Sequence, residues 1–171
     1  MSGPSDSEIS RWYPKLFRTA LRLTGSADAA EEATQQAFCR ALDHWPVPDG
    51  PDHPVGWLHR ILLNCVRDAH RRRQVRNEAP LEVWAVPDPN GASGSGPGRL
   101  ERDEQLARLR ASIAALSEPV RQAFVATVLD GYTYEEAGAM LGVPLGTVAS
   151  RVSAGRKAVA AVMRQTFGAS D

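Results

Sequence analysis

The chain has 171 residues, and its 20 Lys plus Arg are balanced by 20 Asp plus Glu, for a formal net charge of zero. Hydrophobic residues make up 43%, enough for a packed core, and no run of eighteen apolar residues exists, which argues against a membrane span. The opening "MSGPSDSEIS" lacks the basic start and apolar stretch of a signal peptide, so none is expected. Cys39 and Cys65 are too few for a disulfide scaffold and have no zinc-ligand spacing; both read as small buried hydrophobes, in a reducing cytoplasm.

No segment alternates with period two over a strand's length, whereas apolar residues recur at helical spacing nearly throughout. Trp12, Leu16, Ala20 and Leu23 form a first stripe. Gly25-Ser26 follows as stop and cap, with Asp28 in the next first turn. Ala30, Ala33, Ala37, Ala41 and Trp45 form a second stripe, widened by Phe38 and Leu42. "PVPDGPDHP" carries four prolines in nine residues and breaks the helix. Trp57, Ile61, Cys65 and Ala69, beside Leu58 and Leu62, restart the period, which runs out in "HRRRQVRN".

"EAPLEVWAVPDPNGASGSGPG" has no period, and its Pro, Gly and Ser mark a linker. Its Leu81, Val83, Trp84 and Val86 are unusual there, and docking on the chain itself or on a partner fits equally. Beyond it, Leu106, Leu109, Ile113 and Leu116 form another stripe. Ser117 then caps a helix with Pro119 in its first turn and Gly131 as its stop. The expected fold is all-α: a first helical domain over 1–77, a flexible linker over 78–99 and a second helical domain over 100–171.

Thr133 and Glu136 form a capping box at the start of a helix over Tyr134–Leu141. Gly142 falls where a left-handed C-terminal residue is wanted, and Pro144 opens the next helix. Ala137, Leu141, Val143, Val148 and Val152 would form the joint, with Gly138 allowing close approach. This is a helix-turn-helix, whose second helix usually enters the major groove. An αα-hairpin without a ligand is the plainer reading, but caps, turn glycine and basic end agree on DNA.

The zero net charge conceals two basic segments. Arg60, Arg67, Arg71, Arg72, Arg73 and Arg76 face only Asp68 between Trp57 and Arg76. Arg151, Arg156, Lys157 and Arg164 face only Asp171 after Ala137. Between them, residues 78–98 carry Glu78, Glu82 and Asp88 and no base. Nucleic-acid binding follows this local field and not the total. No Ser/His/Asp set, metal spacing or phosphate-cradling glycine loop is present, so no enzyme, cofactor or metal is expected.

"LSEPVRQAF…LDGYTYEEAGAMLGVPLGTVASRV" resembles region 4 of bacterial sigma factors of the extracytoplasmic-function class. "LFRTALRLTGSADAAEEATQQAFCRAL" is similar to their regions 2.1–2.2, and "PVGWLHRILLNCVRDAHRRR" to their regions 2.3–2.4. The resemblance covers roughly four-fifths of the chain, in the family's order. It implies a promoter-specificity subunit whose partners are core RNA polymerase (the β′ clamp helices and the β flap), promoter DNA and an anti-sigma factor. The polymerase-facing residues would be Asp28, Glu31, Glu32, Gln35 and Gln36, with Gln36 standing where the family usually has an acid.

By the same resemblance, Arg60 and Asn64 would hold an unstacked base of the −10 element, and Arg67, Arg71, Arg72 and Arg73 would track phosphates. Trp57 could stack a base but reads as core, and His59 and His70 read as surface residues without a role. The −35 element would meet Thr147, Ala149, Ser150, Arg151, Ser153, Arg156 and Lys157. Ala149 and Ala154 replace cations that the family commonly carries, so −35 contact should be weaker or differently specific. The 21 residues from Glu78 to Gly98 reach at most roughly 70 Å at ~3.3–3.6 Å each, about two helical turns of DNA. The competing reading is a stand-alone helix-turn-helix regulator, which needs neither the region 2 pattern nor the linker.

Overall fold

A computed structural model of the chain describes residues 4–44, 54–75 and 99–167. All regular structure among them is helical. The first half holds α1 (Asp6–Thr24), α2 (Ala27–Leu42) and α3 (Pro54–Val75); the second holds α4 (Arg99–Ala114), α5 (Glu118–Phe124), α6 (Tyr134–Leu141) and α7 (Leu145–Phe167). A π-helical turn, Val125–Leu129, continues α5. Trp45 and the residues 76–98 lie outside the described residues, and with them the apolar linker positions Leu81, Val83, Trp84 and Val86.

The helix ends follow the punctuation. Ser5 and Glu8 form a capping box at α1 that the sequence reading missed. Gly25 closes α1 with φ 71°, and the Ser26 side chain accepts the Ala29 N–H at the start of α2. Thr133 and Glu136 make the expected capping box, and Gly142 closes α6 with φ 67°. Pro144 stands one place earlier than expected: its carbonyl accepts the Thr147 and Val148 N–H groups, so it caps α7 instead of opening it.

In the first half, α1, α2 and α3 pack mutually. Trp12, Leu16, Ala20 and Leu23 are buried as expected, as are Ala30, Ala33, Ala37 and Ala41. The small alanine face brings α2 close to its neighbours. Three expectations are corrected here. Cys39 is exposed, because two residues past Ala37 is about 200° round the helix, while Cys65 is buried. On α3 the buried face is rotated: Leu58, Leu62, Leu63, Cys65 and Val66 are buried, whereas Trp57 and Ile61 are only partly buried at its edge. The rotation arises because α3 is covered from two sides, by α1 and α2 and also by α6. For the same reason His59, expected at the surface, is only 3% exposed.

In the second half, α7 is the common partner of α4, α5 and α6. Val148, Val152, Gly155 and Val159 form its buried stripe, at helical spacing. Along α4 the stripe is incomplete: Ile113 and Leu116 are buried, Leu109 is partly buried and Leu106 is 40% exposed. The joint of the helix-turn-helix is as expected, with Ala137, Leu141, Val148 and Val152 buried and Val143 packed at its edge. A Cβ on Gly138 would come within 2.9 Å of the Val143 carbonyl oxygen, so this glycine serves the turn. The buried apolar residues of both halves form one cluster, and α3 meets α6 while α1 meets the π-helical turn.

Gly155 answers why a small residue sits mid-helix in α7. A Cβ there would lie 2.9 Å from Phe124 Cδ2 and 3.3 Å from Val120 Cγ1. Phe124 is itself buried and has nowhere to move. Overpacking costs about 1–3 kcal/mol, against about 1 kcal/mol of helix propensity gained by replacing glycine. Gly155→Ala is therefore expected to destabilise the chain by about 1 kcal/mol net, and Gly155→Val by more, as read from chemical denaturation.

Candidate nucleic-acid interface

The polar side of α2 follows from its alanine side. With Ala30, Ala33 and Ala37 buried, Asp28, Glu31, Glu32 and Gln35 are exposed and Gln36 is half-buried. Gln35 Nε2 donates to Glu31 Oε1 at 3.2 Å and Gln36 Nε2 to Glu32 Oε1 at 3.0 Å. The two amides hydrogen-bond to the carboxylates one turn away and add no charge, leaving an exposed acidic face.

On α3, Arg60, Asn64, Arg67 and Arg71 recur at spacings of four, three and four and so share one face. Arg60, Asn64, Arg71 and Arg72 are exposed; Arg67 and Arg73 are half-buried. Arg67 is engaged by the second half. Its Nη2 donates to Gln122 Oε1 at 3.3 Å, and its Nε lies 4.0 Å from Glu118 Oε1. His70 Nδ1 lies 3.4 Å from Glu118 Oε2. Arg67, Arg71 and Arg151 border one crevice of about 440 Å³ with Glu118 at its wall, so a cation expected at the −35 element sits beside two expected at the −10 element.

Opposite the buried stripe of α7, Ser150, Ser153, Ala154, Arg156 and Lys157 are exposed, while Thr147, Ala149 and Arg151 are half-buried. Ser150 Oγ donates to the Thr147 carbonyl at 2.9 Å, which leaves its lone pairs facing outward. The N-terminal part of this helix thus presents small side chains followed by the exposed cations Arg156 and Lys157, with Arg164 exposed further on.

Sequence reasoning missed a second basic row. Arg11, Lys15, Arg18 and Arg22 repeat the four-three-four spacing on α1 and, with Arg60 and Trp57, border a groove of about 1030 Å³ between the halves. The spacing alone would have revealed the row, had the charges been read by helix face. Also missed was a polar cluster at the seam. Thr19 Oγ1 donates to Asp130 Oδ2 at 2.7 Å, and Arg22 pairs with Asp130 Oδ1. His59 lies 3.3 Å from Thr19 Oγ1 through Nε2, and its Nδ1 is 2.8 Å from the Val55 carbonyl and 3.0 Å from the Tyr132 hydroxyl. No sequence spacing connects residues so far apart in the chain.

Among the described residues, no group of three or more His, Cys, Asp or Glu is placed to hold a metal, and no helix is long and apolar enough to cross a membrane. Residues 9–76 match the family model for sigma-70 region 2, and residues 106–159 match that for sigma-70, region 4. The chain is 30% identical over 172 residues to the ECF RNA polymerase sigma factor EcfG of Rhodopseudomonas palustris, covering 96% of this chain and 90% of that one. The chain belongs to the sigma-70 family, in its extracytoplasmic-function class.

Other similarities agree. The ECF RNA polymerase sigma factor SigE of Mycolicibacterium smegmatis is 39% identical over 160 residues; the match covers 90% of this chain but 60% of that relative's length. The sigma factor RpoE of Bartonella quintana, solved in complex with the anti-sigma factor NepR, shares the fold with a TM-score of 0.73 at 24% identity, over 92% of this chain and 95% of that one. CnrH, solved with the cytosolic domain of CnrY, gives 0.65 at 25% identity, over 92% and 85%. A stand-alone regulator would not account for the region 2 match of this sigma factor.

The seam makes the stability of this sigma factor sensitive to pH. Burial pushes the His59 imidazole below the ordinary histidine range; the Val55 carbonyl and Asp130 oppose this, and Lys15 adds to it. The folded chain thus binds fewer protons at His59 than the unfolded chain, and this group's contribution is whole above about pH 6.5 and lost as pH falls. Asp130 has the opposite sign, because burial raises its carboxyl despite Thr19 and Arg22. Denaturation midpoints are expected to drop between about pH 7.5 and about pH 5.5, and His59→Gln to flatten that slope.

Proposed function

We propose that this chain binds core RNA polymerase, directs it to particular promoters through −10 and −35 elements, and helps to melt the −10 region. What carries the reading is the occurrence of sigma-70 regions 2 and 4 in order on one chain, the second holding a helix-turn-helix whose first helix is capped at both ends. In this reading residues 1–77 bind polymerase and the −10 element, 78–99 form the linker, and 100–171 bind the −35 element. It acts in the cytoplasm and is not an enzyme.

Asp28, Glu31, Glu32, Gln35 and Gln36 face the β′ clamp helices. An exposed acidic face suits that role, because carboxylates and amides can pair with a partner's Arg and Lys. The β flap meets the second half. Arg60 and Asn64 hold an unstacked −10 base; Asn offers a paired donor and acceptor to a base edge. Arg67, Arg71, Arg72 and Arg73 track the backbone. Thr147, Ala149, Ser150, Arg151, Ser153, Arg156 and Lys157 meet the −35 element. The relatives solved with anti-sigma partners support a partner of that kind here.

The test is transcription in vitro with core polymerase on a genomic promoter library. Glu31→Lys with Glu32→Lys is expected to abolish association with core polymerase and leave the helical signal and melting temperature intact, since both residues are exposed. Co-purification unchanged at physiological salt would refute the assignment of this face.

The outer face of α7 gives a second prediction. Ala154 is exposed and Ala149 half-buried, so arginine fits at either position without disturbing the buried stripe. Ala149→Arg with Ala154→Arg is expected to strengthen −35 binding, raise the salt slope by about one unit for each new phosphate contact, and leave the −10 preference unmoved. Promoters randomised separately at each element, transcribed at two salt concentrations, measure both effects.

A further inference from the structure

We propose that the groove bordered by α1 and the start of α3 is a binding track for a single nucleic-acid strand, its phosphates lying along Arg11, Lys15 and Arg18 and a base lying on Trp57. The track rests on the promoter-binding reading above only for which strand is held, the melted −10 strand; the site itself does not.

The cations of α1 follow a pattern that packing does not require. Arg11, Lys15, Arg18 and Arg22 share one face of the helix and span ~16 Å at ~1.5 Å per residue. No acid stands between Arg11 and Thr24; those of α1, Asp6 and Glu8, stay in its first turn. Like charges one turn apart repel along a helix, and a face that serves solubility alone mixes its signs. Arg11, Lys15 and Arg18 are exposed, while Trp12, Leu16 and Ala20 fill the core side of the same helix. The row therefore works against its own helix until a polyanion neutralises it.

The row borders the groove of about 1030 Å³, together with Arg60 and Trp57 of α3. Five Arg and Lys side chains border this groove against two acids, Asp130 and Glu136, an excess of three positive charges. Both acids are already engaged. Asp130 accepts from Thr19 and Arg22, and Glu136 accepts the Thr133 N–H at 2.7 Å. The groove thus keeps a positive field although the chain as a whole is neutral. On the α3 row, by contrast, Arg67 already has Glu118 and Gln122 beside it.

The aromatic lining decides which polyanion fits. Trp57 is half-buried in the groove wall, three residues before Arg60 and so on the same side of α3. Single strands are held by this combination: bases stack on an aromatic ring while the backbone follows a row of cations. Leu129, Ala139 and Met140 add apolar lining, which suits a base and not a phosphate. A duplex keeps its bases stacked on one another and offers the ring no face. An acidic polypeptide would satisfy the row but leave the ring without a planar partner. Arg60 belongs both to this groove and to the outward row of α3, so a strand held at Arg60 continues onto α1.

The experiment titrates the full chain with a fluorescent single-stranded 20-mer of random sequence over a series of salt concentrations, and with a duplex of the same length in a second arm. Lys15→Ala with Arg18→Ala removes two exposed cations and is expected to lower the salt slope of single-strand binding by about 0.7 for each lost phosphate contact. Arg102→Ala with Arg108→Ala, exposed on α4 and outside the groove, removes the same charge and is expected to leave that slope unchanged. Trp57→Leu is expected to weaken single-strand binding about tenfold with little change of slope, because stacking is lost and no phosphate contact is. Trp57→Phe, which keeps a ring, is expected to restore part of the affinity. Helical signal and melting temperature are read on every variant, and the Lys15 and Arg18 pair decides the track on its own if the Trp57 variants do not fold.

A slope that does not respond to Lys15→Ala with Arg18→Ala, or that falls equally with the α4 pair, overturns the track. A folded Trp57→Leu variant that binds the single strand as the parent does, or that loses duplex binding to the same degree, overturns the assignment to a single strand. Poly-glutamate that displaces the labelled 20-mer as well as an unlabelled one of equal charge overturns it too, in favour of an acidic polypeptide. Transcription with core polymerase is run alongside. A parent that fails to support it while the slopes respond as expected counts against the promoter reading alone, because the titrations decide the track independently.

Discussion

The withdrawal of Asp130 and His59 from water at the seam is the constraint around which the two halves are arranged. The acid accepts from Thr19 and Arg22, and the imidazole has the Val55 carbonyl and the Tyr132 hydroxyl at Nδ1 and the Thr19 hydroxyl at Nε2. Desolvation dominates at both, raising the acid and lowering the base, which means each is pushed toward its neutral form. Tyr132 is pushed in the same sense, to about 12, so the phenol stays protonated and available to hydrogen-bond. The seam is thus a compact polar contact inside an otherwise apolar cluster, and its geometry fixes how α1 and α3 face the turn before α6.

Within each half, small residues set the spacing and large ones fill it. Five buried alanines on α2 let it lie close against its neighbours while Trp12, Leu16, Leu58 and Leu62 supply volume. On α7 the same logic puts Gly155 against Phe124 and valines on the other three inward positions of the stripe. A consequence reaches the functional face. Because the inward stripe is so regular, the small residues Ser150, Ser153 and Ala154 are left on the exposed side of α7.

Charge is organised by face and not by total. A neutral chain presents an acidic face on α2, basic rows on α1 and α3, and three exposed cations on α7, Arg156, Lys157 and Arg164. Opposite signs lie on different helices, so the local field changes from face to face although the total is zero. They also let the chain meet itself, as Glu118 does at Arg67 and His70.

The local punctuation was legible without coordinates, because caps and left-handed glycines depend on a few neighbouring residues. Gly25, Ser26, Thr133, Glu136 and Gly142 all behave as their types require. The stripes of α1 and α2, the joint of the helix-turn-helix and the sigma-70 resemblance belong to the same level. Where periodicity misled, a second neighbour had intervened: α3 is covered on two sides, which rotated its buried face, drew in His59 and moved Trp57 to the edge. The exposure of Cys39 could have been counted from helical geometry. The pairing of Arg22 with Asp130, over a hundred residues apart, could not. Nothing local distinguishes that aspartate from a solvated one; only the arrival of α1 against the turn takes it out of water and gives it its partners.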